Sequence, residues 1–325
     1  MSSKKPINIL DRYKRFNIIN NIINEKIKKD KKKCLYPVKF GVYTLNDVIL
    51  LFKKIGSNSS YGSIFLSEIK DKNNHKYKFA TKVQLLTDDT YAELNYLKLV
   101  TKTSIDNKNI HFPLMYNNLE CSYFNKNDEL MPLNLRDNDK DKNFDGVNSY
   151  YSTFVELANG DLGSFILKNY KKITLKQLKN ILGQCFIAIL SCHRLKFNHN
   201  DSHIYNFLYH IIKTDNNSCF KYVYNDLVFY IENVGLNWVI WDFGYSKYES
   251  IFFTTDYMYD YIILIKTIID ELNENNIDIF NSFIKKLYTY LYKFKKDYDL
   301  ISFLLKNNIL FSDKPIGDII TTITL

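Results

Sequence analysis

A chain of 325 residues with 46% hydrophobic side chains has enough apolar mass for one large core or two smaller ones. The formal net charge of +9 invites a nucleic-acid reading, but the run "EKIKKDKKK" (25–33) holds six lysines against two acids, a pattern of a solvated helix end or docking arm; nucleic-acid recognition is not expected. Cys34, Cys121, Cys185, Cys192 and Cys219 show no C-x-x-C pair and no zinc spacing, and their number is odd, which suits reduced thiols in a reducing compartment. No apolar run approaches the ~18 residues of a membrane span and no signal peptide opens the chain, so a soluble protein is expected. The 26 Tyr and 23 Phe, with Asn, Ile and Lys crowding every row, match A+T-rich codon usage, so single Asn, Ile or Lys residues carry little signal.

In chain order, Ile9, Tyr13, Phe16, Ile19, Ile23 and Ile27 recur at helical spacing, which predicts an amphipathic helix over 7–33, packed on the main body. From about 46 the pattern changes to short alternating segments. "GSIFLSEI" (62–69) and "KYKFATKVQLL" (76–86) read as strands joined by the turn "KDKNNHK", and "TYAELNYLKLVT" (90–101) reads as a helix. Residues 125–149 are polar and Asp/Asn-rich, the composition of a surface insertion. A strand follows at 150–158, and long helices are predicted over 174–196 and 257–274. Strands followed by helices give an α+β class, with a smaller N-terminal sheet lobe and a larger, mainly helical C-terminal lobe.

The chemistry concentrates in "FNHNDSHIYNFLYH" (197–210) and "WDFGYSK" (241–247). In H-x-D-x-x-x-x-N, Asp201 can accept a proton from an attacking hydroxyl, and Asn206 can offer its amide oxygen to a metal. Asp242, leaving the strand "WVIW" ahead of Phe and Gly, is placed to meet a cation. Upstream, the small-residue turn "IGSNSSYGSIF" (55–65) sits between two strands and could cover phosphates. Lys82, central in its strand, would be costly to bury without an acid; Glu93 on the next helix is the only glutamate nearby in sequence. "FVELANGDL" (154–162) is a strand ending in a short connector where an adenine could bond to backbone groups.

With these six features in this order, residues 50 to 275 resemble the eukaryotic-type protein kinase superfamily. The long stretch between Tyr209 and Asp242, an extra hairpin at about 213–236, makes the chain similar to the virion serine/threonine kinases of large nucleocytoplasmic DNA viruses, of poxvirus, asfarvirus and mimivirus type. The resemblance implies a bilobal fold, with a basic helical extension at 1–45, an N-lobe at 46–155 and a C-lobe at 156–325. It implies ATP bound in the cleft between lobes, with Mg²⁺ or Mn²⁺ on Asn206 and Asp242 and Asp201 as catalytic base. Lys82 would pair with Glu93 and hold the α- and β-phosphates. Ile55, Gly56, Gly62, Ile64 and Ala80 would surround the nucleotide from the sheet, and Glu156, Ala158 and Asp161 from the connector. The activity implied is transfer to Ser/Thr of protein substrates, in host cytoplasm or virion; on charge alone, the basic N-terminal arm and the C-terminal helices are expected to dock acidic structural or core proteins.

The pattern departs from kinases in four places. Asn58 or Ser59 stands where the middle glycine of the phosphate turn is usual, although Asn tolerates left-handed angles. Asn200 replaces the arginine that receives an activation-loop phosphate, and no A-P-E follows the short segment after Asp242. An enzyme not switched by phosphorylation of Ser246, Ser250, Thr254 or Thr255 is therefore expected, with Asp256 or Asp260 anchoring the catalytic loop. His203 stands where most serine/threonine kinases carry lysine; an imidazole there can bond the γ-phosphate or the base, and its D-x-H-x-x-N setting also occurs in aminoglycoside- and choline-kinase-like enzymes and in haspin-like protein kinases. A small-molecule phosphotransferase and a non-catalytic pseudokinase scaffold thus stand beside the protein kinase. The spacings of His193, His199, His203 and His210 also raise a metal cluster, though zinc sites generally add Cys. His199 is expected to brace the loop without touching the chemistry.

Overall fold

The computed structural model describes residues 6–27, 35–39, 41–56, 62–122, 149–214, 217–248 and 256–325. Most of the lysine run, Asn58, Ser59, Ser250, Thr254, Thr255 and nearly all of the predicted insertion at 125–149 lie outside the described residues. Chain contacts group into two units. One comprises Leu10–Lys98 and Leu114–Leu157; the other comprises Met1–Ile9, Leu99–Pro113 and Ala158–Leu325.

The first unit opens with helix α1 (Asp11–Lys26), followed by strands β1 (Leu35–Lys39), β2 (Val42–Leu45), β3 (Ile49–Ile55), β4 (Gly62–Lys70) and β5 (Lys76–Leu85). Helix α2 (Asp88–Asn107) begins here and runs on into the second unit; β6 (Met115–Ser122) and β7 (Ser149–Val155) complete the sheet. The seven strands lie in the order β1-β2-β3-β4-β5-β7-β6, each pair antiparallel. On β5, Phe79, Val83 and Leu85 enter the hydrophobic core with Phe65, Tyr116 and Phe154, while Ala80, Lys82 and Gln84 point to the opposite face. Ile19, Ile22 and Ile23 of α1 join that same core, so the N-terminal helix is an integral layer of this unit. Burial of each such large apolar side chain contributes about 1.5–3 kcal/mol.

Helix α2 is longer than its predicted span. Thr87 and Thr90 exchange side chain-to-backbone hydrogen bonds at its start, and left-handed Lys108 (φ 53°) closes its end. The turn between β4 and β5 is held by Asp71, whose Oδ1 accepts the N–H groups of Asn73 and His75 at 2.8 Å each.

In the second unit, β8 (Gly160–Asp161) leads into α3 (Leu162–Asn169), capped by Asp161, which accepts the Ser164 N–H at 2.7 Å. A Thr174–Gln177 capping box starts α4 (Leu175–Arg194), most of whose side chains are buried. There follow β9 (Phe197–Asn198), a one-turn 3₁₀ helix (Ile204–Asn206), β10 (Phe207–Ile211), β11 (Ser218–Tyr224), β12 (Leu227–Glu232), β13 (Leu236–Ile240) and β14 (Lys247–Tyr248). Helices α5 (Met258–Glu274), α6 (Asn281–Leu291) and α7 (Asp297–Lys306) precede β15 (Asp318–Thr324). The strands form three small sheets, β13-β10-β8, β12-β11-β15 and β14-β9. The antiparallel hairpin β11–β12 falls within 213–236, and β15 lies parallel beside β11. Cys219, Phe220 and Tyr222 of β11 are fully buried, so this hairpin is part of the unit's core.

The chain is thus α+β, with seven α-helices and one large antiparallel sheet among the described residues. Among those residues no helix is long and apolar enough to cross a membrane. One expectation needs correction. Cys185, Cys192 and Cys219 are free and buried, but Cys121 on β6 is disulfide-bonded, to a sulfur outside the described residues, so the five cysteines are not all reduced thiols.

Candidate active site

In the first unit, Lys82 Nζ donates to Glu93 Oε1 at 2.6 Å, and both side chains are almost sealed from solvent. Strand pairing places Lys82 centrally, between Ile64 on β4 and Thr153 on β7, while Lys76 and Lys78 of the same strand are exposed. The second carboxylate oxygen of Glu93 accepts from Gln84 Nε2 at 2.8 Å. Gln84 is a member of this group that the sequence reading missed. Its signal was available: it lies two residues beyond Lys82 and so shares its face.

Close approach is built into the neighbouring backbone. A Cβ on Gly62 would meet the Val83 carbonyl oxygen at 2.5 Å and Gln84 Cγ at 2.9 Å, so only glycine fits against the Lys82 strand there. Gly56 ends the preceding strand with φ +80°, again a glycine conformation. Ile55 pairs with Ile64 across β3–β4, and Ala80 pairs with Val155 across β5–β7.

Glu156, the residue after β7, has its carboxylate engaged within the unit. Arg12 Nε donates to Oε2 at 2.9 Å, Arg12 Nη2 donates to Oε1, and Leu114 N–H also donates to Oε1 at 3.0 Å. Ala158 and Asp161 belong to the second unit, where Asp161 caps α3.

In the second unit, β9 and the 3₁₀ turn present Asp201, His203 and Asn206 on one loop. Asn206 Nδ2 donates to the Asp201 carbonyl at 2.8 Å and to Asp201 Oδ2 at 3.0 Å, which ties the two ends of the loop together. His203 Nε2 lies 3.7 Å from Asp201 Oδ2, while its Nδ1 accepts the Tyr205 N–H at 3.2 Å. Burial raises the Asp201 pKa; His203 and His199 oppose that shift and the nearby Asp242 carboxylate adds to it. The Asn206 carbonyl accepts the Trp241 N–H at 2.8 Å, which fastens this loop to the residue before Asp242. Asp242 itself has φ 67°, a left-handed conformation that costs a non-glycine residue on the order of 1–3 kcal/mol.

The loop is fixed from beneath by α5. Asp260, fully buried, accepts the backbone N–H of His199 on Oδ2 and of Asn200 on Oδ1, both at 2.8 Å, and Ser202 Oγ donates to the Asp260 carbonyl at 2.6 Å. Asp260, not Asp256, is therefore the anchor. Asp256 instead accepts the Met258 N–H at 3.0 Å at the start of α5. His193 extends the anchor: its ring bonds Asp297 Oδ1 at 2.9 Å on one side and Asp260 Oδ2 at 3.3 Å on the other. Burial opposes the His193 charge, but Asp297 and Asp260 outweigh it and push the pKa up to about 9. The sequence reading missed this pairing because Asp297 lies 104 residues downstream.

The histidines do not act together as a cluster. His199 Nε2 donates to the Trp241 carbonyl at 3.0 Å, and burial lowers its pKa. Among the described residues no group of three or more His, Cys, Asp or Glu converges on a metal position. Asn206 with Asp242 offers oxygen donors only, which suits a hard cation that takes one or two carboxylates and fills its remaining positions with phosphate and water.

No family model matches the chain. It is 26% identical over 209 residues to a protein of Acanthamoeba polyphaga mimivirus named "Putative serine/threonine-protein kinase R400". The match covers 55% of this chain and 44% of that protein, so the chain spans less than half the length of the curated relative it matches. At the level of sequence, this is a distant kinase-like relationship.

Proposed function

We propose that the chain is an ATP-dependent protein kinase of viral, virion-associated type, with a bilobal kinase fold, that transfers the γ-phosphate to serine or threonine hydroxyls of protein substrates. The observation that carries this reading is the Asp201–Asn206 loop, closed on itself, anchored on Asp260 and fastened to the residue before a left-handed Asp242. Asp201, half-buried with a raised pKa, would accept the proton of the attacking hydroxyl. Asn206 spends its amide N–H on Asp201, so its oxygen is the atom left to face a cation. Asn206 and Asp242 would hold Mg²⁺ or Mn²⁺, which when bound neutralises phosphate oxygen charge. Lys82, held by Glu93 at 2.6 Å, would hold the α- and β-phosphates, and preorganised charges of this kind lower the barrier without reorganising during transfer.

The test is transfer of γ-labelled phosphate from ATP to casein, followed by phosphoamino-acid analysis, with Asp201→Ala and Asp242→Asn beside the wild type. Label on Ser or Thr is expected, falling by about 10²–10⁴-fold in the Asp201 variant, the usual contribution of a positioned base. Label that persists in both variants would sink the assignment. A small-molecule acceptor is the second reading, favoured by His203, whose ring faces Asp201 where most protein kinases place lysine. Aminoglycosides or choline that take up label in competition with casein would move the assignment to that class.

A further inference from the structure

Helix α1 enters the first unit with more than an apolar face. Two of its basic side chains bond strand backbone of the unit: Arg15 Nη2 donates to the Lys78 carbonyl at 2.5 Å and Lys26 Nζ to the Lys70 carbonyl at 2.6 Å. These two contacts lie on exposed backbone. Arg12 differs from them. Its side chain keeps 1% of its exposure, that of Glu156 keeps 8%, and the guanidinium grips both carboxylate oxygens. Burial works against the Arg12 charge, yet Glu156 more than offsets it and the pKa ends above its ordinary value.

What the pair holds is a backbone position. Glu156 is the first residue beyond β7, and its own N–H donates to the Leu114 carbonyl at 3.0 Å while its carboxylate accepts the Leu114 N–H. Leu114 therefore has both backbone groups matched by one residue, and that residue is fixed by a bidentate fork from α1. A bidentate, desolvated guanidinium–carboxylate pair fixes direction as well as distance, which a lysine at the same place would not do. The connector that begins at Glu156 is the segment read above as the adenine contact.

We infer that Arg12 is a positioning residue for nucleotide binding: acting through Glu156 it sets the backbone of the connector against Leu114, so that ATP affinity depends on α1. The inference rests on the kinase reading. It deepens that reading by naming a residue, far from both charged groups in sequence, that tunes the nucleotide site. Glu156 then serves through its backbone, its side chain being committed to Arg12 and Leu114.

The test uses the full chain and ATP with Mg²⁺, reading Kd by calorimetry together with kcat, KM and Tm. Arg12→Ala alone strands a buried carboxylate and risks unfolding, so the working variants are Arg12→Lys and the paired Arg12→Met/Glu156→Gln, which removes both charges. Lys26→Ala loosens the other end of α1 and serves as the control. The expected result is an ATP KM and Kd raised about threefold in Arg12→Lys and about tenfold in the paired variant, with kcat at saturating ATP within about twofold and Lys26→Ala like wild type. Folded variants with unchanged ATP affinity overturn the inference, and so does a loss confined to Tm and kcat, which marks a merely structural pair. A wild type that binds no ATP overturns the kinase reading itself, whereas a wild type that binds it while the variants bind equally well overturns this inference alone.

Discussion

Lys82 and Glu93 keep only 5% and 3% of their side-chain exposure, whereas Asp201 and His203 keep 31% and 34%. The first pair is held by its own contacts: the ammonium takes one carboxylate oxygen and Gln84 takes the other. The second group stays open to solvent, and its loop is held through backbone bonds to a different, fully buried carboxylate, Asp260. Burial raises a carboxylate's pKa, so sealing Asp201, the proposed base, would push it further up; here the loop's positioning falls to a buried neighbour instead. In the Lys82 group positioning and proposed chemistry share the same atoms; in the Asp201 group they are separated.

That contrast predicts two kinds of breakage. Asp260→Ala removes the acceptor of two backbone N–H groups and leaves His193 with one carboxylate instead of two, so a loss on the order of 3–5 kcal/mol in unfolding free energy is expected, with activity falling alongside. Lys82→Met takes the ammonium away from the buried Glu93 carboxylate and should cost a similar or slightly smaller amount. Adding Glu93→Gln to Lys82→Met should recover most of that stability in urea denaturation and none of the activity. If the double variant is no more stable than Lys82→Met, the Lys82–Glu93 pair is not what stores the stability.

The Lys82–Glu93 pairing was legible because a lysine in mid-strand demands an acid, and only one glutamate was near in sequence. The Asp201–Asn206 loop was legible because both residues lie within one short motif. The Asp260 anchor was narrowed to two aspartates, and burial decided between them. Arg12–Glu156 and His193–Asp297 escaped, since the partners stand 144 and 104 residues apart and nothing local requires either. Strand β6 escaped for a different reason: Asn117 and Asn118 in succession, with a register shift between Met115 and Asn117, interrupt its alternation. The disulfide at Cys121 is not legible in the spacing, because an odd cysteine count without a C-x-x-C pair fits one bridge beside free thiols as well as a fully reduced set.

The anchor also sharpens the contrast through pH. The His193 pKa of about 9 lies above the ordinary imidazole value near 6.5, so the folded state binds this proton more tightly than the unfolded state. The stabilisation is fully present below about pH 6.5 and is lost as pH rises through about 9, at roughly 1.4 kcal/mol per pH unit between the two. Asp260 has a lowered pKa, so its side of the same interaction is present above the usual carboxylate range and lost as pH falls through its folded value. Thermal unfolding from pH 6 to 10 should show the alkaline decline, and His193→Gln should flatten it. A wild-type curve that is level from pH 6.5 to 9 would show that His193 is neutral in the folded protein.

The smallest effect concerns the segment after Asp242. Asn200, where a phosphorylation-switched kinase carries arginine, donates its side-chain amide to the Tyr245 carbonyl at 3.2 Å, and its N–H is taken by Asp260. A neutral amide already bonded to the chain offers a loop phosphate no charge to pair with. Ser246 is buried, and its Oγ finds no hydrogen-bond partner among the described residues, so its removal leaves no bond unmade. Replacing Ser246, Ser250, Thr254 and Thr255 together by alanine is therefore expected to leave the proposed transfer activity within about twofold of wild type, because the Asp260 carboxylate already fixes the Asp201–Asn206 loop from beneath. Collapse of activity in the quadruple variant, with Tm unchanged, would mean that this chain has a loop switch whose phosphate receptor is a residue other than Asn200.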